Sequence, residues 1–252
     1  MEEKLKFPTE QVELPSKGLP YSPDSPLSKG VLEMKYMTAK EEDILTNVNF
    51  IKQGIVIDKL LQSLIVTPIS YNDLLIGDKN ALLIAARILG YGKDYEFEYD
   101  DPETGVKQNV TVDLSLLDPK PIHSVLKQGK NEFELTLPSK TIVTFKLLTH
   151  GDEKRIDKEV EGLKRVNPNG SYDITTRLKH MITSVNGSRE QEDIRKYADS
   201  MLVGDSRTLR KKYKEIEPDL PLKFNYTTPG GDVVEGVNLP IGINFLWPDT
   251  SL

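Results

Sequence analysis

The sequence predicts an α+β fold made of two similar units, on three observations: an internal repeat, helix-start signals shared by both copies, and a hairpin signal closing each copy. The repeat carries most weight. Leu74-Leu75-Ile76-Gly77-Asp78 returns as Met201-Leu202-Val203-Gly204-Asp205, a step of 127 residues from Gly77 to Gly204. At the same step Tyr95, Phe97 and Tyr99 meet Leu222, Phe224 and Tyr226, Pro102 meets Pro229, and Val110 meets Val237. Upstream, with gaps, Leu14-Pro15-Ser16-Lys17 returns as Leu137-Pro138-Ser139-Lys140. Two copies are too few for a solenoid, so a pseudo-twofold pair of small domains is expected. The expected division is an extended N-terminal arm (1–26), a first unit (27–118), a Pro/Lys/Gly-rich linker (119–134) and a second unit (135–252). How the units pack on each other is left open.

Each unit follows the same order. The Leu-Pro-Ser-Lys turn leads to a strand, Val31 to Met37 or Ile142 to Leu148. A helix start follows, because Thr38 with Glu41 and Thr149 with Asp152 place a hydroxyl three residues before a carboxylate. A second helix includes Ile55 to Ile65 and, in the other copy, Thr176 to Val185. Asp78 and Asp205 then read as N-caps of a third helix. In the first copy that helix is apolar all round from Ala81 to Ala86, which requires burial on most faces. In the second, Leu209, Tyr213 and Ile216 form one face while Arg207, Arg210, Lys211 and Lys212 lie elsewhere. A hairpin closes each unit: Tyr95, Phe97 and Tyr99 alternate with acids before Pro102 and Gly105, and Leu222, Phe224 and Tyr226 precede Pro229-Gly230-Gly231.

Composition excludes several classes. The 252 residues contain no cysteine, which removes disulfides, thiol nucleophiles and cysteine-held metals, and only 3 histidines. With 33 Lys+Arg against 39 Asp+Glu the net charge is −6, giving no general attraction to nucleic acid or anionic membranes. No apolar run is long enough to span a bilayer, and Met1 to Lys6 lacks the pattern of a secretory signal, so a protein kept in a reducing cytoplasm is expected.

Candidate chemistry is thin. Glu41, Glu42 and Asp43 sit in a first helical turn, and Asp100 and Asp101 at a hairpin turn, where capping and turn formation account for them without a glycosidase pair. No Gly-x-Ser-x-Gly elbow occurs. His150 after the Thr149 cap reads as an exposed first-turn residue, and His180 as a surface or partly packed one. Gly90-Tyr91-Gly92-Lys93 follows a helix, whereas a phosphate loop opens one, so both glycines read as a C-terminal cap. No catalytic residue, cofactor or metal is expected. The cations Arg207, Arg210 and Lys211, diluted by acids such as Asp199, Asp205 and Glu215, read as a solvated face or a salt-bridging protein interface. Phe7 and Tyr21 in the Pro-rich arm, and Phe245 and Trp247 near the C-terminal end, complete the candidate protein interface.

The residues Leu14-Pro15-Ser16-Lys17-Gly18 with Tyr21, Met37 to Glu42, Gly77-Asp78 and Phe245-Leu246-Trp247-Pro248 resemble the baseplate hub protein family of contractile-tailed phages of the T-even type. That resemblance implies hairpins like zinc ribbons whose turns carry Cys-x-x-Cys pairs. Here the turns read Asp100-Asp101-Pro102-Glu103 and Thr227-Thr228-Pro229-Gly230, so the ribbons lack their cysteines and no metal role carries over. It further implies a virion protein, made in the host cytoplasm, that binds other tail and baseplate proteins and no small-molecule substrate or membrane. Rival expectations are a nucleic-acid adaptor on degenerate ribbons and a cell-wall-degrading baseplate enzyme.

Overall fold

The computed structural model describes residues 8–100, 105, 107–228 and 230–247. In the first half, β1 (Thr9–Glu13) pairs antiparallel with β2 (Val31–Lys35), and a bridge from Met34 to Ile65 extends that sheet. Helices α1 (Ala39–Leu45), α2 (Val48–Lys52), α3 (Val56–Leu64) and α4 (Ile76–Tyr91) follow, then the hairpin β3 (Asp94–Asp100) and β4 (Lys107–Asp113). The second half keeps this order. Strands β5 (Phe133–Thr136) and β6 (Ile142–Phe145) precede α5 (His150–Val166) and α6 (Asp173–Met181), and β7 (Ile182–Val185) joins β6. Then come α7 (Gln191–Ser200), α8 (Val203–Ile216), the hairpin β8 (Lys223–Thr227) and β9 (Val233–Asn238), and the short α9 (Ile243–Leu246). Helices and small antiparallel sheets are mixed and segregated, an α+β fold.

Local chemistry explains most element starts. At α1 the Glu41 carboxylate accepts the Thr38 N–H at 3.0 Å, and at α5 the Asp152 carboxylate accepts the Thr149 N–H while the Thr149 hydroxyl accepts the Asp152 N–H. Helix α3 buries Val56, Leu60, Leu61 and Leu64 on one side. Helix α4 buries Ala81, Leu82, Leu83, Ile84 and Ala86, as its all-round apolar stretch demands. The expected helix from Thr176 to Val185 stops at Met181. Ile182 to Val185 instead pairs with β6, because β-branched residues fit a strand edge that needs a partner.

Asp78 and Asp205 are not N-caps. Leu75 and Leu202 hold the cap positions, and the two carboxylates lie inside the first turn, buried. Each reaches back to the Leu-Pro-Ser-Lys turn of its own half. Asp78 accepts from Ser16 N–H (2.9 Å), Ser16 Oγ (2.7 Å) and Tyr21 Oη (2.5 Å), and the Tyr21 hydroxyl in turn accepts the Leu75 N–H at 2.9 Å. Asp205 accepts from Ser139 N–H at 3.1 Å and Tyr197 Oη at 3.3 Å. Burial pushes the Asp78 carboxyl above the usual carboxylate range, against the downward pull of its Tyr21 and Ser16 hydrogen bonds.

The stretches expected to be an arm and a linker are laid onto the fold. From Thr9 onward the arm supplies a strand and the Asp78 network. Within 119–134, Leu126 is buried, Gly129 N–H donates to Leu19 O, and Lys120 Nζ donates to Glu217 O at 3.0 Å. Gly92 caps α4 with φ 84°, but Gly90 lies within the last turn, where the Met37 side chain packs against it.

The two halves share one core. The hairpins stack through residues 127 apart, Phe97 on Phe224 (5.2 Å between centroids) and Tyr99 on Tyr226 (4.9 Å). His150 N–H donates to Leu74 O at 2.7 Å, and the His150 ring enters the seam between halves. It is buried, not exposed, because the first half covers the start of α5. Its Nε2 lies 3.3 Å from Asp58, its Nδ1 3.4 Å from Lys79 Nζ, and its ring packs T-shaped with Tyr71 at 4.7 Å between centroids. Asp58 also accepts from Lys79 at 2.6 Å and from Tyr71 Oη at 3.1 Å.

Two outcomes are expected. Asp78→Ala leaves three buried donors without their acceptor and lowers the unfolding free energy by about 3 kcal/mol, whereas Asp205→Ala costs about 1 kcal/mol; urea unfolding of the two variants, with equal losses, would contradict the assignment. Burial, then Lys79 and Lys154, push the His150 imidazole below its ordinary value, against Asp58 and Glu153. The unfolded chain therefore binds the proton first, and stability falls as pH drops below about 6.5. Comparing urea midpoints at about pH 7.5 and about pH 5.5, His150→Gln is expected to flatten that decline.

Candidate functional site

Helix α8 has two chemically opposed sides. Leu209, Tyr213 and Ile216 are buried in the core, and the Tyr213 hydroxyl accepts the Leu148 N–H at 3.1 Å. Arg207, Arg210, Lys211 and Lys214 recur at intervals of three and four, which places them one above another on the opposite side. Together with Arg177 and Met181 of α6, and with Thr208, Tyr213 and Glu217, they line a groove of about 810 Å³.

Most of the stripe lacks counter-charges. Among the described residues Arg207, Arg210 and Lys211 have no acidic partner, and Arg210 Nε donates to Ser206 O at 3.3 Å; Lys214 acts on the Glu217 carboxylate one turn away. Three nearby acids that the sequence offers as diluents are engaged elsewhere, while Glu217 stays in the groove. Asp199 pairs with Lys179 at 2.8 Å, Glu215 with Lys212 at 2.9 Å and His123 at 3.1 Å, and Asp205 is buried on the Ser139 turn. Across the groove Arg177 is already held by Glu153, Nη2 to Oε2 at 3.0 Å. Burial and the neighbouring Asp219 push the Glu217 carboxyl upward. Like charges one turn apart disfavour the helix by some tenths of a kcal/mol per pair, so this stripe costs stability where it stands. Its guanidinium forks suit carboxylates or phosphates arriving from outside.

The other candidate residues are placed differently. Tyr21 is bound to Asp78, and Phe245 is fully buried with its ring edge-on to Tyr95 at 4.9 Å, so neither has surface to offer a neighbour. Trp247 is half-buried against the same core. Phe7 lies outside the described residues. His180 is half-buried and bonded to Glu159 at 2.9 Å. Glu41 is buried, accepting from Lys35 at 2.8 Å and Ser63 at 2.6 Å; these bonds hold it to about 2 although burial opposes them. That pairing makes Glu41 structural. Among the described residues no group of His, Asp and Glu could hold a metal, and no helix is long and apolar enough to cross a membrane.

Sequence reasoning missed Arg177 and Thr208 as groove residues. Lys214 was readable from its seven-residue spacing to Arg207; Arg177 was not, since α6 meets the groove only through tertiary packing.

Arg207→Ala and Lys211→Ala are expected to leave the unfolding free energy within about 0.5 kcal/mol of the parent, or to raise it. Thermal and urea unfolding check this; a loss well beyond that range would mark the stripe as part of the scaffold.

A family model described as T4 bacteriophage base plate protein matches residues 11–226. No curated protein and no solved structure matches the chain.

Proposed function

The chain belongs to the T4 bacteriophage base plate protein family, and from that premise we propose that it is a non-enzymatic structural or assembly protein of the baseplate hub. Membership makes it a phage baseplate structural protein whose partners are other tail proteins. The finer reading, a hub component of a contractile tail that is built in the host cytoplasm, draws on the hub-like turn and helix-start residues. Similar element order in the two halves supports reading the chain as a duplicated module.

The observation that carries the interface reading is the basic stripe of α8, in which Arg207, Arg210 and Lys211 have no acidic partner among the described residues. A basic row that costs stability, in a chain of net charge −6, makes sense as a contact for another molecule. The nucleic-acid adaptor reading draws on the same cations. It is weaker, because the groove is short and the rest of the molecule carries the repelling sign. The cell-wall enzyme reading has no oriented pair of acids to support it among the described residues, since Glu41 and Asp152 are held by lysines.

Mass spectrometry of purified tails is expected to find the protein. In tails assembled with the double variant Arg207→Glu/Lys211→Glu it is expected to fall at least tenfold, roughly the effect of one or two lost charge contacts. The purified variant should melt as the parent does. Parallel loss of melting temperature and incorporation would defeat the interface reading.

A further inference from the structure

The first turns of α4 and α8 correspond in sequence, yet only one of them is covered. On α4 the segment Pro218–Leu220 lies across the helix: a Cβ on Gly77 would stand 1.9 Å from Pro218 O, and Asn80 Nδ2 donates to Asp219 Oδ1 at 2.9 Å. Leu220 shares a crevice with Ala81 and Ile84. The glycine is there because another backbone needs its space.

Moving on 127 residues, the same seat is empty. A Cβ on Gly204 would meet nothing within 4 Å. The backbone is nonetheless prepared in the same way: Leu75 has φ −65° and ψ 149°, Leu202 φ −62° and ψ 144°. Leu75 is 2% exposed, whereas Leu202 is 65% and Val203 74% exposed. The chemistry of the seat has changed. Arg207 stands where Asn80 binds Asp219, and Lys211 where Ile84 meets Leu220.

We propose that this face of α8 receives an extended acidic segment of another baseplate protein, seated as Pro218–Leu220 is seated on α4. Arg207 would take a carboxylate in the place of Asp219, Lys211 a second one in the place of Leu220, and Gly204 would admit the backbone between them. A second copy of this chain fits poorly. The segment corresponding to Pro218–Leu220 is Tyr91–Lys93, which has no acid and would bring Lys93 against Lys211. The proposal rests on reading the groove as a protein interface and is independent of the hub assignment.

The test uses the full chain and a fluorescein-labelled peptide of residues 215–222 carrying Leu220→Glu, followed by fluorescence anisotropy at low salt. The parent is expected to bind it, and Gly204→Ala and Arg207→Glu each to weaken binding at least tenfold. Both variants should melt at or above the parent temperature, since a helical glycine in open space gains from a methyl group. No binding by the parent, or binding that survives Gly204→Ala, overturns the proposal. So does a random DNA duplex that displaces the peptide and is itself indifferent to Gly204→Ala. Presence of the protein in tails together with a failed titration would sink this inference alone.

Discussion

A buried carboxylate organises the first half. Asp78 collects Ser16 and Tyr21, and Tyr21 passes its oxygen to Leu75, so the opening turn is fixed against the start of α4. That matters because α4 is where the second half rests: Leu74 O receives His150, Gly77 admits Pro218, and Asn80 holds Asp219. With no disulfide or metal ribbon available, these polar fixtures set the direction in which a large apolar core is assembled. The weaker Asp205 network does the same for α8, whose first turn is uncovered at Gly204.

The contrast between the two helices is the clearest link from composition to role. An all-round apolar helix can exist only when it is covered, and α4 is covered by its own chain. The matching turns of α8 replace apolar and amide residues by arginine and lysine, which water tolerates until a partner arrives. Helix starts that correspond in sequence thus stand once covered and once open.

Much of this was legible in the sequence. The 127-residue step located both hairpins and both third helices, threonine–acid spacing located α1 and α5, and the apolar run of α4 foretold its burial. What escaped depended on contacts distant in the chain. Asp78 has the composition of a cap, and only the fold brings Ser16 and Tyr21 to it. His150 follows a cap and reads as exposed until the first half is laid over it. Tyr21 and Phe245 are aromatic residues near flexible-looking ends, and nothing local distinguishes a core aromatic from a surface anchor. For the groove, the stripe on α8 was visible, but that nearby acids are spent on Lys179, Lys212 and Ser139 depends on tertiary packing.

A cationic row on a chain of net charge −6 concentrates the minority sign on one face. An approaching acidic surface is repelled over most orientations and drawn in along one, so the torque acts before any atoms touch. Over distances longer than about 8 Å that guidance fades at physiological ionic strength. Crowded assembly, where neighbours are already close, is the setting in which such alignment speeds capture most.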